Sequence, residues 1–475
     1  MGHVDARLST PLEGALAAGG DPATSPLYVF GPFLGLIVPA GVAAVTFGAS
    51  IWLAVLTVAV VSVMYRLVMQ WVTDGTGGTG LSEEEFGPWA GKVNASITII
   101  EYTLTALVSL SALVTFVSDR IPALGQPVFG VSGRDLLAAG LAVLTAALVN
   151  RGPRRVSQVF GPATAGVLVL LWTMVAATVW QDGLRLPRID PAAFGVEYAG
   201  FTFGGYARIL ALMTGIEVFA NMVAAYDGTP RERGRKAFGS LLIVMVSTSV
   251  AMLIVGPAIL SRADVSLVEV SVFTQTMDAL LPGPLAMAGT VVGVLVLLSA
   301  TAAALGGLQY LGLGLSKRGY LPETFGALND AGVAARPVWL VAAALVVFFL
   351  LLGTHEETYL AVYAAGVFVL LSMTAWAALS RLLGEPRHRL ALIVAVVLGA
   401  LLTSGATALI FSERFFEGAW LYLVVVPGFY VVMSREAAQR TPPPRVAEEG
   451  RTIACSCGCL AVCGPSEPVA IGEPA

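Results

Sequence analysis

The chain has 475 residues, of which 56% are hydrophobic and only 12% charged, with a net charge of −4. A soluble domain carries roughly 25% charged residues, so this composition, with its repeated apolar runs of about 20 residues, excludes an ordinary water-soluble domain and describes an all-α integral membrane protein. No stretch is basic enough to suggest nucleic acid, and the four cysteines (Cys455, Cys457, Cys459 and Cys463) all lie in the tail, which argues against a disulfide framework.

In chain order the apolar pattern predicts about 12 spanning segments. Their approximate cores are 11–40 (interrupted), 48–70, 94–118, 134–150, 159–180, 203–225, 238–261, 285–315, 336–353, 357–380, 390–411 and 416–434. The first 20 residues lack the layout of a signal peptide, so the first span is expected to direct insertion itself. Between the second and third spans, Asp74-Gly75-Thr76-Gly77-Gly78-Thr79-Gly80 followed by Glu83-Glu84-Glu85 reads as a glycine-rich loop rather than a helix. With the N-terminus in the cytoplasm, the inner loops and tails hold about 20 of the 27 Lys and Arg residues. The positive-inside rule then puts both termini in the cytoplasm. The reading is therefore a transmembrane transporter domain over 1–435 and a cytoplasmic, disordered tail over 436–475, in a multi-pass protein of the plasma membrane.

Two spans are interrupted. The first contains Gly19-Gly20-Asp21-Pro22-Ala23-Thr24-Ser25-Pro26, and two prolines and two glycines do not fit one regular helix. The sixth contains Met213-Thr214-Gly215-Ile216-Glu217. The breaks lie about 193 residues apart, close to five spans. Interrupted helices at matching places in two halves point to an inverted repeat with its binding site at midplane. Backbone without helical bonds at lipid depth is tolerated where it lines a cavity.

Three carboxylates fall inside these apolar stretches: Asp21, Glu101 and Glu217. A charge at bilayer depth is costly, so an intramembrane acid marks an ion or proton path. Oxygen ligands lie beside each: Thr24, Ser25 and Tyr28 by Asp21, Thr105 and Ser109 by Glu101, and Thr214 by Glu217. Glu101, Thr105 and Ser109 are spaced i, i+4, i+8 on one helical face, over about 12 Å. The bland alternatives are plain. Thr105 and Ser109 could bond their own backbone, Asp21 could cap a helix begun by Pro22, and Glu217 could make a structural hydrogen bond. A dry site would instead let Glu217 carry a proton as well as ligate an ion. Tyr363 fits the cavity as a gate and Tyr359 the interfacial belt. Arg208, six residues before Thr214, is a permanent cation that belongs at the outer mouth or against an acid. The tail thiolates could hold a soft metal, but their spacing is not that of a zinc site. Thr441-Pro442-Pro443-Pro444 before them reads as linker. No cofactor is expected.

The run Gly20-Asp21-Pro22-Ala23-Thr24-Ser25-Pro26-Leu27-Tyr28 resembles the first-helix motif G-D-x-x-T-S-P-L-Y of the KUP potassium uptake family. Ile100-Glu101-Tyr102-Thr103-Leu104-Thr105-Ala106-Leu107-Val108-Ser109, Leu212-Met213-Thr214-Gly215-Ile216-Glu217 with Asn221, and Tyr363-Ala364-Ala365-Gly366-Val367-Phe368 are similar to KimA-type potassium transporters. Both belong to the amino acid–polyamine–organocation (APC) superfamily. The resemblance implies a LeuT-type fold of two inverted five-helix repeats plus two helices, with helices 1 and 6 broken. It implies potassium uptake by proton symport, with Asp21, Tyr28, Glu101, Thr105, Ser109, Thr214, Glu217 and Tyr363 binding or gating the ion. Asp21, Glu101, Thr105, Ser109, Thr214 and Glu217 would be the potassium ligands. The departures are Glu101 in place of the usual Asp, Pro22-Ala23 in place of Ile-Gly, and the lack of a soluble C-terminal domain in 436–475.

The partners expected are therefore potassium, a proton and the lipid bilayer, with the oligomeric state open, a homodimer included. The alternative is an amino acid or polyamine/organic cation carrier of the same superfamily, although Asp21 in the break would repel a substrate carboxylate. A non-transporting sensor would leave the three buried acids unexplained. An enzyme is not expected, since His3, His355 and His388 are scattered.

Overall fold

The computed structural model describes residues 8–439, apart from 74, 129, 214, 268–269 and 385–389. Within them the chain is almost entirely helical. Helix α1 (Pro11–Ala18) opens on a capping box in which Thr10 accepts from the Glu13 amide and Glu13 reaches back. It runs into α2 (Gly20–Tyr28) and α3 (Phe30–Ile37). The interruption here is mild. Gly19 (φ −74, ψ −4) and Val29 (φ −71, ψ −26) both stay in the right-handed helical region, so the first span bends twice rather than unwinding.

Next come α4 (Ala43–Trp71), α5 (Gly77–Phe86), α6 (Pro88–Ser118), a two-residue antiparallel pairing of β1 (Pro127–Val128) with β2 (Val131–Ser132), α7 (Gly133–Val149) and α8 (Pro153–Asp182). The second half holds α9 (Ala199–Ile209), a 3-10 turn over 210–213, α10 (Ile216–Asn221), α11 (Pro230–Arg262), α12 (Val272–Leu280), α13 (Gly283–Lys317), the short α14 (Glu323–Gly326), α15 (Ala335–Leu352) and α16 (Glu356–Gly384). Helices α17 (Leu390–Arg414) and α18 (Tyr422–Gln439) follow. A second capping box, Thr229 with Glu232, and Pro230 in the first turn fix the start of α11.

Among the described residues nine helices are long and apolar enough to cross a membrane: those of α4, α6, α8, α11, α13, α15, α16, α17 and α18. This is an all-α, multi-pass integral membrane protein. The other three expected spans are the bent α1–α3, the 17-residue α7, and the interrupted α9–α10. The residues after 439, including the cysteine run, lie outside the described residues.

The glycine-rich loop expected after α4 is a helix. In α5 the sequence Gly77-Gly78-Thr79-Gly80-Leu81-Ser82-Glu83-Glu84-Glu85-Phe86 coils against α6, α10 and α16. Three glycines in ten residues have low helix propensity, and tertiary contact overrides it. A β-carbon on Gly78 would stand 2.2 Å from Thr374 Oγ1, and one on Gly77 would stand 2.1 Å from Asn221 Oδ1. The glycines are there because neighbouring helices leave no room for a side chain.

Helix α6 lies at the centre. It packs on α13, α16, α5 and α18, and 78% of its apolar window is buried. The Tyr102 ring seats directly over Gly307 of α13, the close small-residue packing that helices use in lipid. This brings one polar face of α6 opposite α2, α10 and α16.

Candidate functional site

Asp21 stands in the first turn of α2, where Gly19 rather than Asp21 is the cap. It is 6% exposed, and its Oδ1 has no hydrogen-bond partner among the described residues. Its neighbour Thr24 donates to the Asp21 carbonyl at 2.6 Å. One turn on, the Ser25 and Tyr28 hydroxyls stand 3.4 Å apart, both buried. On α6, Glu101 is buried at 7% exposure, with Thr105 and Ser109 below it on the same face. Thr105 Oγ1 lies 2.9 Å from the Glu101 carbonyl and 2.9 Å from the Tyr363 hydroxyl of α16. The backbone bond is the one a buried threonine makes anyway, but the contact with Tyr363 ties α6 to α16 across the centre.

The sixth span breaks at Gly215, whose φ of +82 is left-handed and carries no penalty for glycine alone. Thr214, the residue before it, lies outside the described residues. Glu217 follows in the first turn of α10 and is fully engaged. Its Oε2 accepts from the Tyr65 hydroxyl of α4, and its Oε1 accepts from the Gly78 N–H of α5 at 2.7 Å. The Thr79 amide is also directed at it, and the Thr374 hydroxyl is bonded in turn to the Tyr65 phenol.

The sequence-derived residues thus fall into two neighbouring groups. Asp21, Glu101, Thr105, Tyr28 and Tyr363 gather between α2, α6 and α16, where Tyr363 lies within electrostatic reach of Asp21, Tyr28 and Glu101. Glu217 sits below the second break with Tyr65, Asn221 and the start of α5. Glu101 feels both Glu217 and Asp21, so the three acids share one field. Among the described residues, no three His, Cys, Asp or Glu side chains converge as a ligand cluster for one metal ion. An ion here would meet one or two carboxylates with hydroxyls and carbonyls, not all three acids at once.

Sequence reasoning does not find Tyr65, Thr374 or the Gly78 and Thr79 amides. Tyr65 lies in a long, mostly apolar helix, and no acid or helix break near it in sequence marks it. Tyr359, expected at the interfacial belt, is 3% exposed and donates to the Gly353 carbonyl at 2.6 Å. Arg208 is accounted for. It donates to the Gly204 carbonyl at 3.1 Å and pairs with Glu417 at 3.7 Å, beside Arg414, which pairs with the same carboxylate at 3.4 Å. It stays on the α17–α18 side of its helix, directed away from Glu217.

No family model matches the chain. It is similar to the potassium transporter KimA of Bacillus subtilis (strain 168), 22% identical over 409 residues, an alignment covering 82% of this chain and 65% of that relative. The chain therefore spans just under two thirds of the length of the curated relative it matches.

Proposed function

We propose that the protein is a secondary transporter of the plasma membrane that imports potassium by proton symport, rather than an enzyme. The ion binds midway between the bent first span, the broken sixth span and the third span. The observation that carries this reading is Asp21 Oδ1, a buried carboxylate oxygen without a hydrogen-bond partner among the described residues. An ionised carboxylate in that position costs several kcal/mol unless a cation or proton answers it. A weakly hydrated monovalent cation suits the oxygens gathered there, the Thr105, Tyr28 and Tyr363 hydroxyls and Glu101, with Ser109 and Thr214 as the further ligands that the sequence suggests. The printed description of the similar protein, a potassium transporter, agrees with that chemistry. Glu217, bonded on both oxygens, is read as the proton carrier.

The reading includes twelve crossings in an inverted five-plus-five repeat with two helices added, and both termini in the cytoplasm. Pairing of the helices supports it. The second span, α4, packs on the seventh, α11; the third, α6, on the eighth, α13; the fourth, α7, on the ninth, α15. The bent first span meets the broken sixth through α2 and the turn at 210–213. Each helix of the first five that is named here thus meets its counterpart in the second five, as a two-fold axis in the membrane plane would require.

The test is rubidium uptake into proteoliposomes with and without an imposed pH gradient, with arginine, glutamate and putrescine assayed alongside. Gradient-driven rubidium accumulation is the expected result. Uptake of an amino acid or polyamine without rubidium would refute the reading.

A further inference from the structure

The contacts around α5 join the candidate site to one face of the protein through a single helix. At its start, the Gly78 amide donates to Glu217 Oε1, and the Tyr65 hydroxyl holds Glu217 Oε2. At its far end, Glu83 is paired with Arg318 and receives the Tyr320 hydroxyl at 3.1 Å, while Glu84 is paired with Arg381 at 2.7 Å. Thr76 and Gly80 of the same segment line a cavity of about 370 Å³ together with Glu83, Glu84, Pro88 and Arg318. One helix thickness therefore separates Glu217 from that cavity. The glycines make this separation thin, because Gly77 and Gly78 touch Asn221, Glu217 and Thr374 where any side chain would collide.

We propose that α5 is the inner gate of the transport path and that Tyr65 is the positioning residue that keeps Glu217 locked to it. This rests on the transport reading above. The carboxylate of Glu217 serves two masters with one charge: it holds the α5 amides, and it answers whatever cation or proton enters. Charge-assisted bonds to a carboxylate are roughly twice as strong as neutral ones, so neutralising Glu217, or drawing a cation onto it, loosens the start of α5. The Glu83–Arg318 and Glu84–Arg381 pairs are partly exposed and individually weak, so once the start is free they cannot hold the helix alone. Movement of α5 then opens Glu217 to the cavity. The positive-inside distribution puts that cavity on the cytoplasmic side.

The test is reagent access to a cysteine at Ser82, which is fully buried on α5 and donates to the Gly78 carbonyl at 2.9 Å. In the full-length chain Cys455, Cys457, Cys459 and Cys463 are changed to Ser, and Ser82→Cys is labelled with a charged methanethiosulfonate. Glu217→Gln and, separately, Tyr65→Phe should raise the labelling rate about tenfold or more, the scale of one lost charge-assisted bond. A cysteine at Ser50, buried in α4 away from α5, should show no such rise. Rubidium should raise Ser82→Cys labelling with Glu217 intact and have no effect in Glu217→Gln. Unchanged labelling in Tyr65→Phe overturns the proposal, as does an equal rise at positions 50 and 82, which would mean general loosening. Variants that alter labelling in a protein that transports no rubidium would leave the gate standing and sink the transport reading instead.

Discussion

Asp21 closes on Gly215. Its Oδ2 lies 3.1 Å from the point a β-carbon would occupy on that glycine, and Pro22 Cδ lies 2.6 Å from the same point. The bend of the first span and the break of the sixth are thus in contact, each shaped to admit the other.

Gly215→Ala meets two obstacles at once, a left-handed φ of +82 and the collision with Pro22. The backbone penalty alone is about 1–2 kcal/mol. A lower melting temperature in detergent is expected, together with loss of rubidium uptake at normal expression. An alanine variant with wild-type melting and uptake would show that the two breaks do not depend on each other.

Asp21→Asn keeps the shape of the side chain and removes its charge. If Asp21 answers the ion, the variant should raise the KM for rubidium about tenfold or more, with the maximal rate less affected. In the same assay Glu217→Gln should abolish pH-driven accumulation, because no titrating group remains there. Intravesicular pH followed during uptake separates the two outcomes. A Glu217→Gln variant that still concentrates rubidium and still acidifies the lumen would move the proton elsewhere, with Glu101 next in line.

Tyr363→Phe removes the hydroxyl that faces Thr105 at 2.9 Å. A neutral hydrogen bond contributes about 1 kcal/mol, so a fivefold rise in KM with unchanged protein yield is expected.

Arg208→Gln is the contrasting case. Its partner Glu417 is half exposed and 3.7 Å away, so the pair contributes less than about 1 kcal/mol. Melting and rubidium affinity should stay near wild type. A large gain in affinity would mean that this cation faces the ion path after all.

Asp119, just beyond the end of α6, is held above the usual carboxylate range, chiefly by burial, although the Ser271 amide donates to it at 3.4 Å. A carboxyl whose folded-state pKa is raised favours the folded state below its unfolded value, and that advantage is lost as pH rises through the raised value. Asp119→Asn should therefore raise the melting temperature at pH 7.5 and lose that effect by about pH 4. Melting curves at the two pH values, with an equal shift at both, would exclude a titrating origin.

Much of the candidate site is legible in the sequence, because acids inside apolar runs have few structural uses. Asp21, Glu101 and Glu217 stand out on that ground alone, and the helical spacing of Thr105 from Glu101 put both on the face that meets Tyr363. Local chemistry could not reveal Tyr65, whose hydroxyl matters only because α10 and α5 arrive opposite it. The same holds for α5, where composition argues for a loop and packing imposes a helix. Tyr359 looks like a belt residue by its place in the chain, and only the turn of Gly353 shows that its hydroxyl is used indoors.

Helix α4 holds both halves of the sixth span. Its Ser50 donates to the Thr202 carbonyl at 2.8 Å and its Thr57 hydroxyl lies 2.8 Å from that of Tyr206, both on α9, while its Tyr65 holds Glu217 on α10. The helix is 29 residues long, about 43 Å, and runs past the fracture at Gly215 like a splint along a broken bone. Two of its ties lie on one side of the fracture and one on the other. On the lower side the tie to α4 is the Tyr65 phenol, so that one hydroxyl links α10 to the same splint that carries α9, while the Gly78 amide links it to α5.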